Sequence, residues 1–224
     1  MNRKKVVFWV LAILITISSA FYQRLTGPTH PKKFKFSFEG ETYEFSLPRS
    51  QNGFIDAIIS LEIDNPDIKG YLFYKKVNVN EPFDTIMFKR ENNDLIAWLP
   101  KQPAAGKLEY GVDLYTSNKM IDIPGDQNVI IRFKSEVPLL VLIPHVILIF
   151  SAMLLSNLTG LYAIAGIRKY KFYVILTLLL FLLGGMIMGP IVQKFAFGEF
   201  WTGFPFGKDL TDNKALIAFI FWII

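Results

Sequence analysis

Two long apolar segments separated by a short basic turn constrain this chain most. They cover residues 137–167 and 172–193, and the turn between them, residues 168–171, reads Arg-Lys-Tyr-Lys. A helix needs about 20 apolar residues to cross a bilayer, so each segment is long enough to span one. The sequence therefore predicts an integral membrane protein with a helical hairpin at its centre.

The composition separates membrane segments from a soluble-type region. Of the 224 residues, 52% are hydrophobic and 19% are charged, and the charged share is below the roughly 25% of soluble domains. Residues 6–22, 137–167, 172–193 and 215–224 carry almost no charge, whereas residues 23–136 have an ordinary soluble composition. The chain has no cysteine, which excludes disulfides, thiol catalysis and thiolate metal sites.

The first apolar segment, residues 6–22, follows the basic residues of the N-terminal stretch 1–5. Its length is close to the minimum for a spanning helix. It also has the form of a signal peptide, with Ser18-Ser19-Ala20 as the small-residue cleavage site. The apolar run continues through Phe21 and Tyr22, which favours an uncleaved anchor over a cleaved signal. Both alternatives place the following residues on the far side of the membrane.

The basic clusters at residues 3–5 and 168–171 predict the orientation, because cytoplasmic ends of membrane helices are enriched in Lys and Arg. We therefore expect an inner (cytoplasmic) membrane protein with residues 1–5 and 168–171 inside and residues 23–136 and 194–214 outside. The net charge of +5 is partly explained by these clusters, so no nucleic-acid partner is expected. Residues 215–224 have half the spanning length, so we expect a fourth helix that continues past them. A re-entrant or interfacial tail is the alternative.

Beyond a linker at residues 23–32, the sequence alternates with period two. Phe34, Phe36 and Phe38 alternate with polar residues, and the pattern resumes at Tyr43 after Glu39-Gly40. This pattern predicts a β-hairpin. Turn residues separate the further predicted strands, which cover residues 57–63, 68–75, 85–89, 95–99, 107–115 and 129–134.

Seven or eight short strands between turns predict an all-β sandwich over residues 33–136. Within it, residues 95–100 end a strand at proline, Gln102-Pro103 follows, and residues 106–110 have the pattern Gly-x-x-x-Tyr. This run resembles immunoglobulin-like or fibronectin-III-like domains of bacterial envelope proteins, and the chain as a whole resembles a bacterial integral membrane protein. The resemblance implies a domain that binds or spaces other molecules, and it transfers no binding residue.

Small residues predict how the two central helices pack. Small side chains four positions apart let helix backbones approach closely in a membrane. The second apolar segment has such a ladder, and the third has a shorter one. We therefore expect a packed hairpin whose contact residues are Ala152, Ser156, Gly160, Gly185 and Gly189.

His145 is the most conspicuous single residue, because an ionisable side chain within a membrane helix is a functional candidate. Its Nε2 atom could ligate a haem iron or hydrogen-bond a quinone. Pro144, however, frees backbone carbonyls that the imidazole can contact. The only other histidine is His30 in the linker. We therefore predict no cofactor, with haem or quinone binding as the alternative.

The segment 194–214 is rich in aromatic residues and glycines. One interpretation is an aromatic belt at the outer membrane interface, with Thr211 or Asp212 as the N-cap of the next helix. The other interpretation is a lid or docking surface for a partner. Its side chains would be Glu199, Trp201, Phe204, Phe206, Asp209 and Asp212.

Catalysis has no visible set of residues in this sequence. Two histidines, His30 and His145, do not complete a Ser/His/Asp set, and no phosphate-binding glycine loop follows a strand. Glu62, Asp64 and Asp67 surround one turn and could bind calcium, although solvated turn residues are the stronger interpretation. We expect a non-enzymatic envelope protein in the lipid bilayer that binds or scaffolds an envelope protein partner. The alternative is a subunit of a membrane redox or transport complex that uses His145.

Overall fold

The computed structural model describes residues 3–38, 41–116, 120–123, 125 and 128–224. Two compact units are present, one formed by Met1–Thr26 with Glu136–Ile224 and the other by Gly27–Ser135. The predicted turn at Glu39-Gly40 lies outside the described residues.

The first unit is helical. Three of its described helices are long and apolar enough to span a membrane, which confirms the helical membrane part of the prediction. The third of them is continuous from Tyr170 to Phe197 and contains a π-helical segment between two α-helices. The helices are α1 (Arg3–Thr26), α2 (Leu139–Ile164), α3 (Tyr170–Phe181), the π-helical segment (Leu182–Met188), α4 (Gly189–Phe197) and α5 (Leu210–Ile223).

Helix α1 packs against α2 and α3 through aromatic side chains. Phe8 meets Tyr162 edge-on at 5.8 Å between ring centroids, and Trp9 meets Tyr173 at 6.2 Å. Edge-to-face pairs of this kind add to the energy of apolar packing. Helix α1 therefore belongs to the helical unit as a packed element.

A polar contact joins α1 and α2 further along. Asn157 donates from Nδ2 to Oγ1 of Thr16 at 2.9 Å, and Thr16 donates to the carbonyl oxygen of Ala12 at 2.7 Å. Polar groups in a membrane interior need such partners, because lipid tails supply none. The pair thus fixes how α1 is rotated against α2.

The second unit is built of short strands that alternate buried and exposed residues. In the second strand, for example, Tyr43, Phe45 and Leu47 are buried and the residues between them are exposed. The strands are β1 (Lys32–Phe38), β2 (Glu41–Leu47), β3 (Ser50–Asn52), β4 (Ala57–Glu62), β5 (Lys69–Lys76), β6 (Asp84–Met87), β7 (Lys89–Glu91), β8 (Asp94–Leu99), β9 (Lys107–Tyr115), β10 (Met120–Ile123) and β11 (Val129–Lys134).

These strands form three sheets around a shared hydrophobic core. The largest has the order β3-β11-β9-β5-β6 with β10 also paired to β9, the second is β4-β8-β7, and the third is the β1-β2 hairpin. Strands β3 and β11 pair in parallel while their neighbours are antiparallel, so the largest sheet is mixed. Residues from all three sheets, including Leu47, Leu72 and Leu99, are fully buried in the core. The sandwich arrangement stays a prediction.

One predicted strand is wrong in its extent. Residues 85–89 were expected to form a single strand, but β6 pairs with β5 and β7 pairs with β8, in different sheets. Phe88 lies between them with its side chain buried in the core and its N–H donating to the carbonyl oxygen of Gly70 at 2.9 Å. The chain therefore passes from one sheet to the other at this residue.

Candidate functional site

His145 lies in the first turns of α2, directly after Pro144, and is half-buried. Its Nδ1 atom is 2.9 Å from the carbonyl oxygen of Gly184 in the π-helical segment. The same oxygen accepts the N–H of Gly189, five residues further on, which is the hydrogen bond of a π-helix. One carbonyl oxygen thus takes part in two hydrogen bonds, one within the π-helical backbone and one with the imidazole.

The direction of this hydrogen bond determines the tautomer of His145. A carbonyl oxygen can only accept, so Nδ1 must carry the proton that it donates. In the neutral ring Nε2 is then the acceptor, which is the form that can ligate a metal or accept a proton. Among the described residues, no group of three or more His, Cys, Asp or Glu side chains could hold a metal ion.

Glycine brings the π-helical segment against α2. A Cβ atom at Gly184 would lie 2.7 Å from Cβ of Leu148 and 3.1 Å from the backbone nitrogen of Ile149. Only hydrogen fits there, so the two backbones touch at this level. The predicted ladder differs at Gly160, which is exposed, and no described atom lies within 4 Å of a Cβ built there. A side chain at Gly160 would therefore meet open space, and the packing role of the ladder stays a prediction.

The other predicted ladder residues are less exposed than Gly160. Ala152 is buried, Ser156 is half-buried, and Gly185 is buried with a Cβ position 3.4 Å from Cδ1 of Ile149. At Gly189 a Cβ would lie 3.9 Å from Cε1 of His145. Gly184 and Gly189 of the third span thus lie beside the imidazole.

A buried carboxylate organises the loop between α4 and α5. Oδ2 of Asp212 accepts from the N–H of Thr202 at 2.7 Å and from Nε2 of Gln193 at 3.0 Å. The hydroxyl of Thr202 lies 3.3 Å from the same oxygen and 2.7 Å from Nε2 of Gln193. Asp212 thereby connects the end of α4, the loop and the start of α5.

The N-cap of α5 is Asp209, so the prediction of Thr211 or Asp212 in that position is wrong. Oδ1 of Asp209 accepts from the N–H of Thr211 at 2.8 Å and of Asp212 at 3.2 Å. The helix begins at Leu210, before the apolar run from which its start was predicted. Asp212 lies in the first turn, and its carboxylate bonds the loop instead of capping the helix.

Hydrogen bonds hold two of the predicted aromatic residues of this loop in place. Nε1 of Trp201 donates to the carbonyl oxygen of Phe204 at 3.0 Å, and the N–H of Phe204 donates to Oδ1 of Asn213 at 2.6 Å. The rings of Phe204 and Phe206 are exposed, at 69% and 83%. The loop is therefore a braced turn that presents phenylalanine rings outward, and Glu199 is exposed in the same loop.

The turn that was weighed as a calcium site is organised by an arginine. The guanidinium of Arg90 donates to the carbonyl oxygens of Ile63, Asn65 and Ile68 at 2.6, 2.9 and 2.8 Å. A cation is therefore already present on the inner side of the turn that carries Glu62, Asp64 and Asp67. These three carboxylates belong to exposed residues.

An aromatic surface that the sequence reasoning missed covers the outer side of strands β5, β6 and β9. We call it the aromatic face; ring pairs connect its members, with Tyr71 and Tyr115 at 5.5 Å and Phe73 and Phe83 at 5.3 Å between centroids. Gly111 lies under Phe73, and any Cβ there would clash with the ring. The sequence signal was the run Tyr-Leu-Phe-Tyr in β5, which places large side chains on both sides of a strand. The aromatic face consists of Tyr71, Phe73, Phe83, Met87 and Tyr115.

Two carboxylates flank the aromatic face. On strand β9, Asp113 is opposite Tyr71 of the neighbouring strand β5 and opposite Asp122 of the other neighbour, β10. Burial, and then the charge of Asp122, raises the pKa of Asp113 above its ordinary value. The sheet therefore carries an unfavourable pair of like charges beside exposed aromatic rings.

Comparison of the chain with known protein families, with curated proteins and with solved structures gives no match. The resemblance of residues 95–110 to immunoglobulin-like and fibronectin-III-like domains stays a prediction.

Proposed function

We propose that this chain is a non-enzymatic envelope protein that displays a partner-binding β unit from the inner membrane. The aromatic face carries the proposal. Phe83, Met87 and Tyr115 are exposed at 38%, 54% and 39%, on a sheet whose opposite side is already a complete core. Exposed apolar patches rimmed by charge are typical of protein interaction sites. Aromatic side chains supply much of the binding energy in such sites.

The proposed architecture is an immunoglobulin-like or fibronectin-III-like sandwich. Three sheets around one core support it, as does Tyr110 of the Gly-x-x-x-Tyr strand. This tyrosine is fully buried and donates to the carbonyl oxygen of Pro48 at 2.7 Å. A buried hydroxyl needs such a partner, so the hydrogen bond contributes to a specific core.

The proposed topology has residues 1–5 and 168–171 inside and residues 23–136 and 194–214 outside. The two basic clusters support it through the positive-inside rule. The packing of Phe8 and Trp9 against α2 and α3 supports an uncleaved first helix, because cleavage would remove one side of that aromatic cluster. In this topology the braced α4–α5 loop provides a second partner surface through Phe204 and Phe206.

Site-specific photo-crosslinking in the full-length protein tests partner binding. A benzoylphenylalanine at Met87 or Phe83 should yield a discrete adduct in native membranes, and one at Glu62 on another sheet should not. Gly111→Val should reduce the Met87 adduct, because the added side chain displaces the Phe73 ring. Equal labelling at all three positions, or no adduct at Met87 and Phe83, would contradict the proposal.

A second candidate function is that of a subunit in a membrane redox or transport complex. The observation in its favour is His145, whose Nδ1 bonds the Gly184 carbonyl at 2.9 Å beside a π-helical segment. Such segments are frequent at functional sites. A Soret band in the purified full-length protein that disappears in His145→Ala would favour this candidate. Absence of a chromophore, together with a stoichiometric crosslinked partner, would exclude haem binding and favour the proposal above.

A further inference from the structure

Both ends of the β unit leave from the same end of its sheets. Strand β1 begins at Lys32, opposite Leu47 at the end of β2. Strand β11 ends with Lys134 opposite Asn52 of β3. Because β3 follows β2 after only two residues, the incoming and outgoing chain are neighbours. We call the end of the β unit at which both connections leave the proximal end.

The connections between the two apolar helices and the proximal end are short. Helix α1 ends at Thr26 and β1 begins at Lys32, while β11 ends at Lys134 and α2 begins at Leu139. An extended chain covers at most about 3.6 Å per residue, so each connection reaches only about 20 Å. Because α1 and α2 are both long enough to span a bilayer, connections of this length allow the proximal end to reach the lipid headgroups.

The proximal end carries an apolar loop. Gly53 donates its N–H to the carbonyl oxygen of Lys134 at 2.9 Å, which places this loop beside the outgoing chain. Its next two residues, Phe54 and Ile55, are exposed at 63% and 61%. The Nζ atom of Lys101 lies 4.6 Å from the centroid of the Phe54 ring. The loop therefore combines exposed apolar side chains with a lysine.

The outer side of the β4-β8 pair changes character along its length. Next to the proximal end, Ile58 is opposite Trp98, and both side chains are exposed. At the far end of the same pair, Glu62 is opposite Asp94. The apolar side chains thus lie towards the proximal end and the acidic ones lie away from it.

We propose that Phe54, Ile55, Ile58 and Trp98 form a membrane-contact edge that inserts into the headgroup region of an anionic bilayer. Aromatic side chains prefer this interfacial region. Two lysines lie beside these aromatic rings: Lys101 near Phe54, and Lys89 with its Nζ atom 5.8 Å from the centroid of the Trp98 ring. Their ammonium groups would face lipid phosphates while their stems cover apolar surface. The carboxylate of Asp56 accepts the backbone N–H of Lys101 at 2.9 Å. This edge is separate from the aromatic face, so it stands or falls independently of partner binding.

Spin labelling of the full-length chain tests the edge. Because the sequence has no cysteine, Ile55→Cys, Ile58→Cys and Glu62→Cys each provide a single labelling site. In vesicles of phosphatidylcholine and phosphatidylglycerol, we expect labels at 55 and 58 to collide with oxygen several-fold more, relative to a water-soluble nickel chelate, than the label at 62.

Each outcome decides the proposal. Equal collision ratios at 55, 58 and 62 would overturn it, because the edge would then be in water. Protection of 55 and 58 from both reagents would also overturn it, since that indicates a protein occupant. In vesicles of phosphatidylcholine alone, or in Lys101→Gln, the ratio at 55 should fall towards that at 62. An unchanged collision ratio in both cases would show that attraction between the lysine and anionic lipid does not contribute to insertion. Unchanged melting curves in the labelled variants establish that the fold is retained.

Discussion

Nδ1 of His145 and the carbonyl oxygen of Gly184 are 2.9 Å apart and connect the second and third membrane spans. The contact is at the level where the third span widens into a π-helix and where Gly184 touches the α2 backbone. A widened turn directs a carbonyl away from the regular helical pattern, so the imidazole and the glycine packing depend on the same local geometry.

Gly184→Ala should disrupt this junction. The new methyl would lie 2.7 Å from Cβ of Leu148 and 3.1 Å from the Ile149 nitrogen, so the helices must separate. Overpacking of this kind costs about 1–3 kcal/mol, and we expect a lower melting temperature in detergent. Gly160→Ala is the matched control, because it adds the same methyl to an open site. A control that destabilises as much as Gly184→Ala would show that the contact is placed wrongly.

The predictable part of this site was the position of His145 within a membrane helix, because an apolar run identifies the span directly. Its partner was not predictable, because the π-helical segment has the same apolar composition as the α-helix on either side of it. Gly184 and Gly185 lie close to Ile149 of α2, and sequence periodicity does not encode this tertiary contact.

The same contrast holds in the β unit. Strand β9 was predicted with its observed bounds, because alternate residues enter the core over its whole length. Strand β3 was missed, since Ser50–Asn52 is short and polar and is identified only by its pairing with β11. The aromatic face was missed because residues 68–75 were predicted only as a strand, without an assignment of which side chains enter the core.

Arg90→Met should destabilise the β unit. The substitution removes three charge-assisted hydrogen bonds to the carbonyls of Ile63, Asn65 and Ile68. Hydrogen bonds to charged groups contribute about 1.5–3 kcal/mol each in favourable cases, so a total loss of about 3 kcal/mol or more is expected. Thermal unfolding of the full-length protein in detergent measures it. Glu91→Gln, on an exposed neighbour in the same strand, should leave the melting temperature unchanged. Equal effects of the two changes would refute the role given to Arg90.

Asp212→Ala should loosen the α4–α5 loop without unfolding the helices. The variant leaves the N–H of Thr202 and the amide of Gln193 without their acceptor, at a cost of about 1–3 kcal/mol. Hydrogen exchange at the Thr202 amide should accelerate, while exchange within α2 stays the same, because local opening is governed by local stability. Glu199→Ala, in the exposed part of the loop, is the control. Retained protection at Thr202 in Asp212→Ala would contradict the bracing role.

Asp113→Asn should stabilise the β unit at neutral pH. Burial, and next the charge of Asp122, raises the pKa of Asp113 above its ordinary value of 3.8. At pH values between the ordinary and the raised pKa, the folded state therefore holds a proton that the unfolded state has already released. The free energy of unfolding of the natural protein must fall as the pH rises from the ordinary pKa through the raised one, and it then levels off.

The variant lacks this ionisation, so its advantage in melting temperature should be absent well below pH 3.8 and fully developed at neutral pH. Asp122→Asn should give a smaller advantage, because it removes only the second cause and leaves the burial of Asp113 in place. Melting curves of the three proteins across acidic to neutral pH decide the matter. An advantage of Asp113→Asn that is already complete at the acid end, or a lower melting temperature at neutral pH, would show that the Asp113–Asp122 pair does not carry the expected charge repulsion.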